Sequence, residues 1–319
     1  MQISIPNQGS LHCLRFFLSA NTFFPRKVRR FTLTFHPQMV YLQPYALSML
    51  AAWGDHWDAQ GVPIDFRNLR STGLAYASRM GLFNFLRAPY DQTQEEHEEA
   101  GRFIPLRRIA SSTELATFLT DLAPLLHRPE HTQAVQYCLS ETIRNVLEHS
   151  GGAPAFACAQ YYRQANRVSI GVADCGIGIR KSLSRNYELT SDVHAIMEAM
   201  KPGVTGAPRG MYGTVDNAGA GLFFTKSIAK ASHEYFTIIS GSAAFRLRRS
   251  RPYENVSLYL DPQHDRHDLY RDLPRWHGTV AAADIGIRPD NSFEMIMASI
   301  RDAYASGRPA RRHAKIQFK

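Results

Sequence analysis

The stretch HTQAVQYCLSETIRNVLEHS, residues 131–150, constrains the fold more than any other part of the chain. Stepped at about 100° per residue, Val135, Leu139, Ile143 and Val146 fall in one apolar stripe, with Arg144 and Glu148 on the opposite face. Such a helix needs an apolar layer to lie on. The candidate layer follows at once. Gly151 and Gly152 end the helix, and FACAQYYRQANRVSIGVAD reads as a hairpin of two strands, with Val168, Ile170 and Val172 alternating.

The flanking sequence extends this pattern. Upstream, SSTELATFLTDLAPLL reads as a helix, with Ser112 near its start and Glu114 in its first turn. Downstream, SDVHAIMEAM is a short helix, KPGVTGAPRGMYGTVDNAGAG a Gly-rich stretch and GLFFTKSIAKAS a helix. YFTIISGSAAFRLRRS, NVSLYLD and HGTVAAADIGI read as strands. Earlier in the chain, FTLTF, PYALSMLAAWGDHWDAQG, VPIDF and AYASRMGLFNFLRAP give β-α-β-α, a small α/β unit. DQTQEEHEEAGR reads as a linker between the two units. The expected organisation is an N-terminal extension over 1–30, an α/β domain over 31–92, a second α/β domain over 103–287 and a basic tail over 288–319 that starts with a short helix.

Bulk properties exclude some classes. A chain of 319 residues has room for two domains, and 44% hydrophobic with 20% charged residues is ordinary for a soluble protein. No run reaches the roughly 18 apolar residues of a membrane span. The first residues, MQISIPNQGSLHCLRFFLSANTFF, carry Arg15 and no basic leader, so no signal peptide is expected. Cys13, Cys138, Cys158 and Cys175 form no metal-ligand spacing and read as reduced thiols in a cytoplasm. The net charge of +9 is concentrated at Arg26, Lys27, Arg29 and Arg30, at Arg246, Arg248, Arg249 and Arg251, and at Arg308, Arg311, Arg312, Lys315 and Lys319. Such patches suit nucleic acid, anionic lipid or an acidic partner. With no nucleic-acid motif beside them, solvated faces and a disordered tail are the expected reading.

Three short motifs carry chemistry. Glu141 and Asn145 are stacked one turn apart and border the apolar stripe, a position suited to lining a pocket. An Asn carbonyl is a hard ligand for magnesium, and a carboxylate one turn earlier can deprotonate a water. Asp174 ends a strand, where its carboxylate can accept from an exocyclic amine; Gly176 and Gly178 let a flat ring approach the backbone. Gly219 and Gly221, followed by Leu222, open a helix whose free N–H groups attract phosphate. The Gly-rich run from Pro202 to Gly219 has the composition of a lid. Alone, each motif also fits an unremarkable surface pair, turn or loop.

Taken in order, the motifs resemble those of the GHKL ATPases, a family that includes type II topoisomerase ATPase subunits, the heat-shock chaperone ATPase, mismatch-repair ATPases and histidine kinase catalytic domains. Glu141-Thr-Ile-Arg-Asn145, Asp174-Cys-Gly176-Ile-Gly178, Asn217-Ala-Gly219-Ala-Gly221-Leu222 and Gly278-Thr279 carry the resemblance, which covers about residues 105–287. It implies a two-layer α/β sandwich of the Bergerat type that binds ATP and magnesium. Asn145 is then the magnesium ligand and Asp174 the partner of the adenine amine. Gly176 and Gly178 shape the adenine pocket, and Gly219, Gly221 and Leu222 meet the phosphates. Gly278-Thr279 supports Asp174, and Glu141 matches the general base. Asn217 departs from the usual first glycine, and no catalytic lysine is assigned among Lys181, Lys201, Arg209 and Lys226.

A histidine kinase is disfavoured, because His97-Glu98 lacks the phosphoacceptor box's ending and the space before Glu141 is too short for a helical hairpin. SETIRNVLEHSGG looks closer to bacterial proteins that join a STAS-like module to a GHKL domain and to anti-sigma-type serine kinases. Ser71-Thr72-Gly73-Leu74 weakly resembles the phosphorylated motif of anti-sigma antagonists, but the match is short and a helix N-cap is the expected reading. The resemblance implies a signalling or partner-switching protein with a regulatory protein partner and leaves a homodimer open. Two readings stand at this point: magnesium-dependent ATP hydrolysis or protein-serine phosphorylation, and an ATP-gated interaction module without turnover.

Overall fold

The computed structural model describes residues 1–71, 73–90, 103–122, 129–206, 219–251, 254–287, 293–305 and 314–316. The N-terminal unit contains strands β1 (Gln2–Ile5), β2 (Gln8–Gly9), β3 (Phe31–Phe35), β4 (Tyr41–Leu42) and β5 (Ile64–Arg67). Its helices are α1 (Leu14–Ser19), α2 (Pro44–Ala59), α3 (Leu74–Arg79) and α4 (Leu82–Leu86). β1, β3 and β5 form a parallel sheet in that order. Parallel neighbours need crossovers, and α1 and α2 lie in the two connections. In β3 the alternation buries Phe31, Leu33 and Phe35 and leaves Thr32 and Thr34 half-buried.

Two sequence expectations change here. Residues 1–30 are no extension: β1 completes the sheet, and Ile3, Ile5, Leu14 and Phe17 are buried in the unit's core. The helix expected at AYASRMGLFNFLRAP is two helices, because Gly81 takes a left-handed φ of 78° between them. Thr72 and the linker, residues 91–102, lie outside the described residues, while Gly73 packs so closely on Met39 that a Cβ there would lie 1.9 Å from its carbonyl oxygen.

The second unit contains β6 (Phe103–Ile109), α5 (Ser112–Thr120), α6 (Pro129–His149), β7 (Ala155–Tyr162), β8 (Arg167–Ala173), α7 (Gly178–Leu183), α8 (Asp192–Ala199) and α9 (Gly221–Ala231). It continues with β9 (Phe236–Gly241), β10 (Ala243–Leu247), β11 (Val256–Leu258), β12 (His267–Tyr270), β13 (Trp276–Gly286), α10 (Phe293–Ala305) and β14 (Ala314–Ile316). Seven strands pair in the order β12-β10-β9-β13-β8-β7-β6, every neighbour antiparallel. α5 starts at Ser112 and is capped by Ser111: Ser111 Oγ accepts from Glu114 N at 3.2 Å, and a Glu114 carboxylate oxygen accepts from Ala110 N at 2.6 Å.

Helices α6 to α10 form a layer on one face of the sheet. The stripe of α6 behaves as its periodicity predicts: Val135, Leu139, Ile143 and Val146 are buried, while Arg144 and Glu148 are exposed. The region expected as a tail is partly core. Ile296, Met297 and Ile300 of α10 are buried, α10 packs on α6 and α9, and β14 pairs with β11. Arg308, Arg311, Arg312 and Lys319 lie outside the described residues.

The other sheet face is covered by the N-terminal unit. α2 lies across β7, β8 and β13, and its residues 44–54 are all buried, as befits a helix enclosed between two sheets. Contact is closest at Gly171 of β8, where a Cβ would stand 2.4 Å from the Pro44 carbonyl carbon and the Tyr45 nitrogen. Ser48 Oγ donates to the Gly171 carbonyl at 3.0 Å, and Cys158 of β7 joins the same core. The two units therefore share one apolar core behind the seven-stranded sheet. Among the described residues, no helix is long and apolar enough to cross a membrane, and all four cysteines are free thiols.

Candidate functional site

β8 runs out at Ala173, and Asp174 follows with only 2% of its surface exposed. Its carboxylate accepts from Gly176 N at 2.7 Å and from Thr279 N at 3.1 Å. Its backbone N–H donates to the Thr279 carbonyl at 2.9 Å, and its carbonyl accepts the Trp276 indole N–H at 3.1 Å. Neighbours this close demand missing side chains. A Cβ on Gly278 would lie 2.3 Å from the Asp174 carbonyl oxygen, and one on Gly176 2.2 Å from the Ser150 carbonyl oxygen. Burial pushes the Asp174 carboxyl up to about 7, against the opposing pull of the two backbone N–H donors. Each carboxylate oxygen keeps a lone pair that neither backbone donor uses, so the group can accept from a further N–H donor.

Gly178 opens α7 at φ 76°, beside Gly278. Ser240 of β9 ties this corner together: its hydroxyl donates to the Gly278 carbonyl at 2.8 Å and accepts from Ile179 N at 3.0 Å.

The Glu141–Asn145 pair lies on α6 where α9 begins. A Cβ on Gly221 would lie 2.7 Å from Glu141 Oε2 and 3.4 Å from Asn145 Nδ2, so glycine is what lets the first turn of α9 abut the pair. The N-cap of α9 is Ala220, which offers no side-chain acceptor to the turn's backbone donors. Leu222 is half-buried against the helix-layer core. The Glu141 side chain is 21% exposed and pairs with Arg144 at 3.2 Å. Burial raises its pKa, the Arg144 charge opposes that, and Glu148 adds to it.

One helix joins the three motifs. The middle of α6 meets Gly221, and Ser150 beyond its end accepts from Ile177 N at 2.9 Å and supports Gly176. The loop before α9 is pinned at its base, where Gly203 N donates to the Gly219 carbonyl at 3.1 Å. Gly219 itself takes a φ of 78°. The body of the expected lid, residues 207–218 with Arg209 and Asn217, lies outside the described residues.

Other cations named from the sequence are engaged elsewhere or point to solvent. Lys226 is buried and bonded to Asp265 and to the Tyr259 carbonyl. Lys201 pairs with Glu198, and Lys181 is exposed. The arginine cluster at the end of β10 is largely neutralised: Arg246 and Arg248 share Asp268, and Arg249 meets Glu234 at 2.8 Å. Sequence reading missed Ser150, Ser240 and Trp276. Trp276, two positions before Gly278, offered the one visible hint, since an indole buried beside a turn needs an acceptor. Comparison with protein-family models, with curated proteins and with solved structures yields no match.

Proposed function

We propose that this chain is an ATP-binding protein of the GHKL type, with a Bergerat-type sandwich behind an N-terminal STAS-like unit. The observation that carries the reading is the convergence of the three motifs on α6: a desolvated carboxylate at one end and a Glu/Asn pair facing an uncapped helix start in its middle. A buried carboxylate with spare lone pairs suits an adenine amine, and the absent side chains at Gly176 and Gly178 suit a flat ring. The backbone donors at Gly219, Gly221 and Leu222 suit phosphate. The Asn145 side-chain oxygen would hold magnesium together with phosphate oxygens and waters, and the metal would neutralise charge on the phosphates. Thr279 anchors the adenine end through its bond to Asp174.

In the catalytic form of this reading, Glu141 takes a proton from an attacking oxygen as that oxygen bonds the γ-phosphorus and the bond to ADP breaks. The oxygen belongs to water in hydrolysis and to a protein serine in phosphorylation. The second reading, an ATP-gated interaction module, is supported by the Arg144–Glu141 pair, which occupies one oxygen of the base; the catalytic form is supported by burial, which leaves the Glu141 pKa raised in spite of Arg144. Both forms suit a cytoplasmic regulatory protein that answers to a protein partner, with or without a second copy of the chain. The test is phosphate release and ATP affinity of the purified chain with magnesium. Glu141→Ala is expected to bind ATP and release no phosphate, and Asn145→Ala to lose the magnesium-dependent part of the affinity. A wild-type chain that binds ATP without turnover selects the module; one that binds no ATP sinks both forms.

A further inference from the structure

The back of the adenine corner is built by the other unit. Trp276 is buried, and its indole N–H reaches the Asp174 carbonyl at 3.1 Å. The same ring stands edge-on to Phe23 and Phe24, with centroids 5.6 and 5.1 Å away. His277 stacks on Phe24 at 4.4 Å. Phe23 is in turn held by α2, since its carbonyl accepts the indole N–H groups of Trp53 at 2.9 Å and Trp57 at 3.2 Å. Phe24 also packs against His56 and Trp57. Cys175, next to Asp174, packs in this same core. A continuous set of contacts thus runs from α2 through Phe23 and Phe24 to Trp276 and His277. From there it passes to Gly278, Thr279 and the carboxylate they hold.

We infer that Trp276 is a positioning residue through which docking of the N-terminal unit sets the nucleotide affinity of the Asp174 corner, an inference that rests on the ATP-binding reading. Apolar packing alone would be served as well by a phenylalanine. What tryptophan adds is one donor, directed at the backbone of the residue whose carboxylate is the proposed adenine acceptor. Rotation of that peptide would move the carboxylate, because the two backbone donors that aim it lie on both sides of the Trp276 bond, at Gly176 and Thr279. Coupling of this kind is reciprocal: if docking favours nucleotide, nucleotide tightens docking.

The experiment uses the full chain and Mg·ATP. Titration calorimetry on wild type, Trp276→Phe, Phe24→Leu and the double variant is expected to show Trp276→Phe weakening ATP about fivefold, the size of one net hydrogen bond, and Phe24→Leu weakening it by a similar factor, about the size of one aromatic pair. The double variant should lose less than the product of the two, as residues in one contact chain do. Hydrogen exchange of the wild-type chain should slow on ATP addition at residues 21–25 and 53–57, far in sequence from the motifs. Folded variants with wild-type ATP affinity, or exchange at those residues indifferent to ATP, overturn the inference and leave the ATP reading intact. A wild type that binds no ATP removes both. The exchange arm uses the unaltered chain, so it decides the matter even where a variant fails to fold.

Discussion

Replacing Asp174 by Asn should stabilise the fold at alkaline pH and destabilise it at acid pH. The carboxyl titrates at about 7 in the folded chain against an ordinary 3.8, so between these values the folded protein keeps a proton that the unfolded chain has lost. Stability therefore falls as pH rises through this window, and the full cost stands above about pH 7. A displacement of about three pH units corresponds to about 4 kcal/mol, undiminished by solvent because the group is fully buried. Asparagine carries no titrating proton but keeps only one acceptor oxygen. One of the donors at Gly176 and Thr279 then loses its partner, at a cost of about 1–2 kcal/mol. The variant should be about 2–3 kcal/mol more stable than wild type at pH 8, with the order reversed at pH 4. Urea unfolding followed by tryptophan fluorescence at several pH values reads this directly, and the other ionisable groups cancel in the difference. Between pH 5 and pH 8 the wild type should lose about 3 kcal/mol relative to the variant. A difference that stays flat across this range refutes the claim that Asp174 is held desolvated.

Two further outcomes are expected. Gly171→Ala forces a Cβ to 2.4 Å from the backbone of Pro44 and Tyr45, so α2 must lift from β8; the melting temperature should fall by several degrees, and protease should gain access to the N-terminal unit, read by a thermal melt and limited proteolysis. Gly221→Ala places a Cβ 2.7 Å from Glu141 Oε2, a side-chain end that can move; global stability should hold within about 1 kcal/mol, while ATP affinity, measured by titration, drops as the methyl displaces the Glu141 carboxylate and occupies the space beside Asn145.

The helix layer was legible because it follows local rules. The stripe of α6 and the glycine stop after it are written at fixed spacings, and the structure keeps both; in β8, Val168, Ile170 and Val172 join the helix-layer core, but the alternate positions are buried too, because the N-terminal unit covers the other face. The N-terminal assignment failed for a non-local reason. QISI is a short apolar pattern like many others, and only its pairing with β3 across the intervening α1 makes it a sheet strand. The end of the chain failed similarly: α10 has a clear amphipathic pattern, but the flank of α6 and α9 that receives its apolar face lies far from it in sequence.

For the candidate site, sequence by itself determined the types of group and their order: a Glu/Asn pair one helical turn apart, a carboxylate at a strand end, glycines at a helix start. These follow from backbone periodicity, which is local and survives without knowing the fold. Tertiary structure decided what those groups experience. Asp174 is desolvated because the start of β13, with Trp276, Gly278 and Thr279, closes over it; Gly221 meets Glu141 only because α9 packs on α6, and Lys226 is spent on Asp265 rather than left for a ligand. Burial, electrostatic environment and close approach are properties of segments far apart in the chain, so no spacing within any one of them could have announced the Trp276 bond to Asp174 or the ring contacts by which Trp276 meets Phe23 and Phe24 of the N-terminal unit.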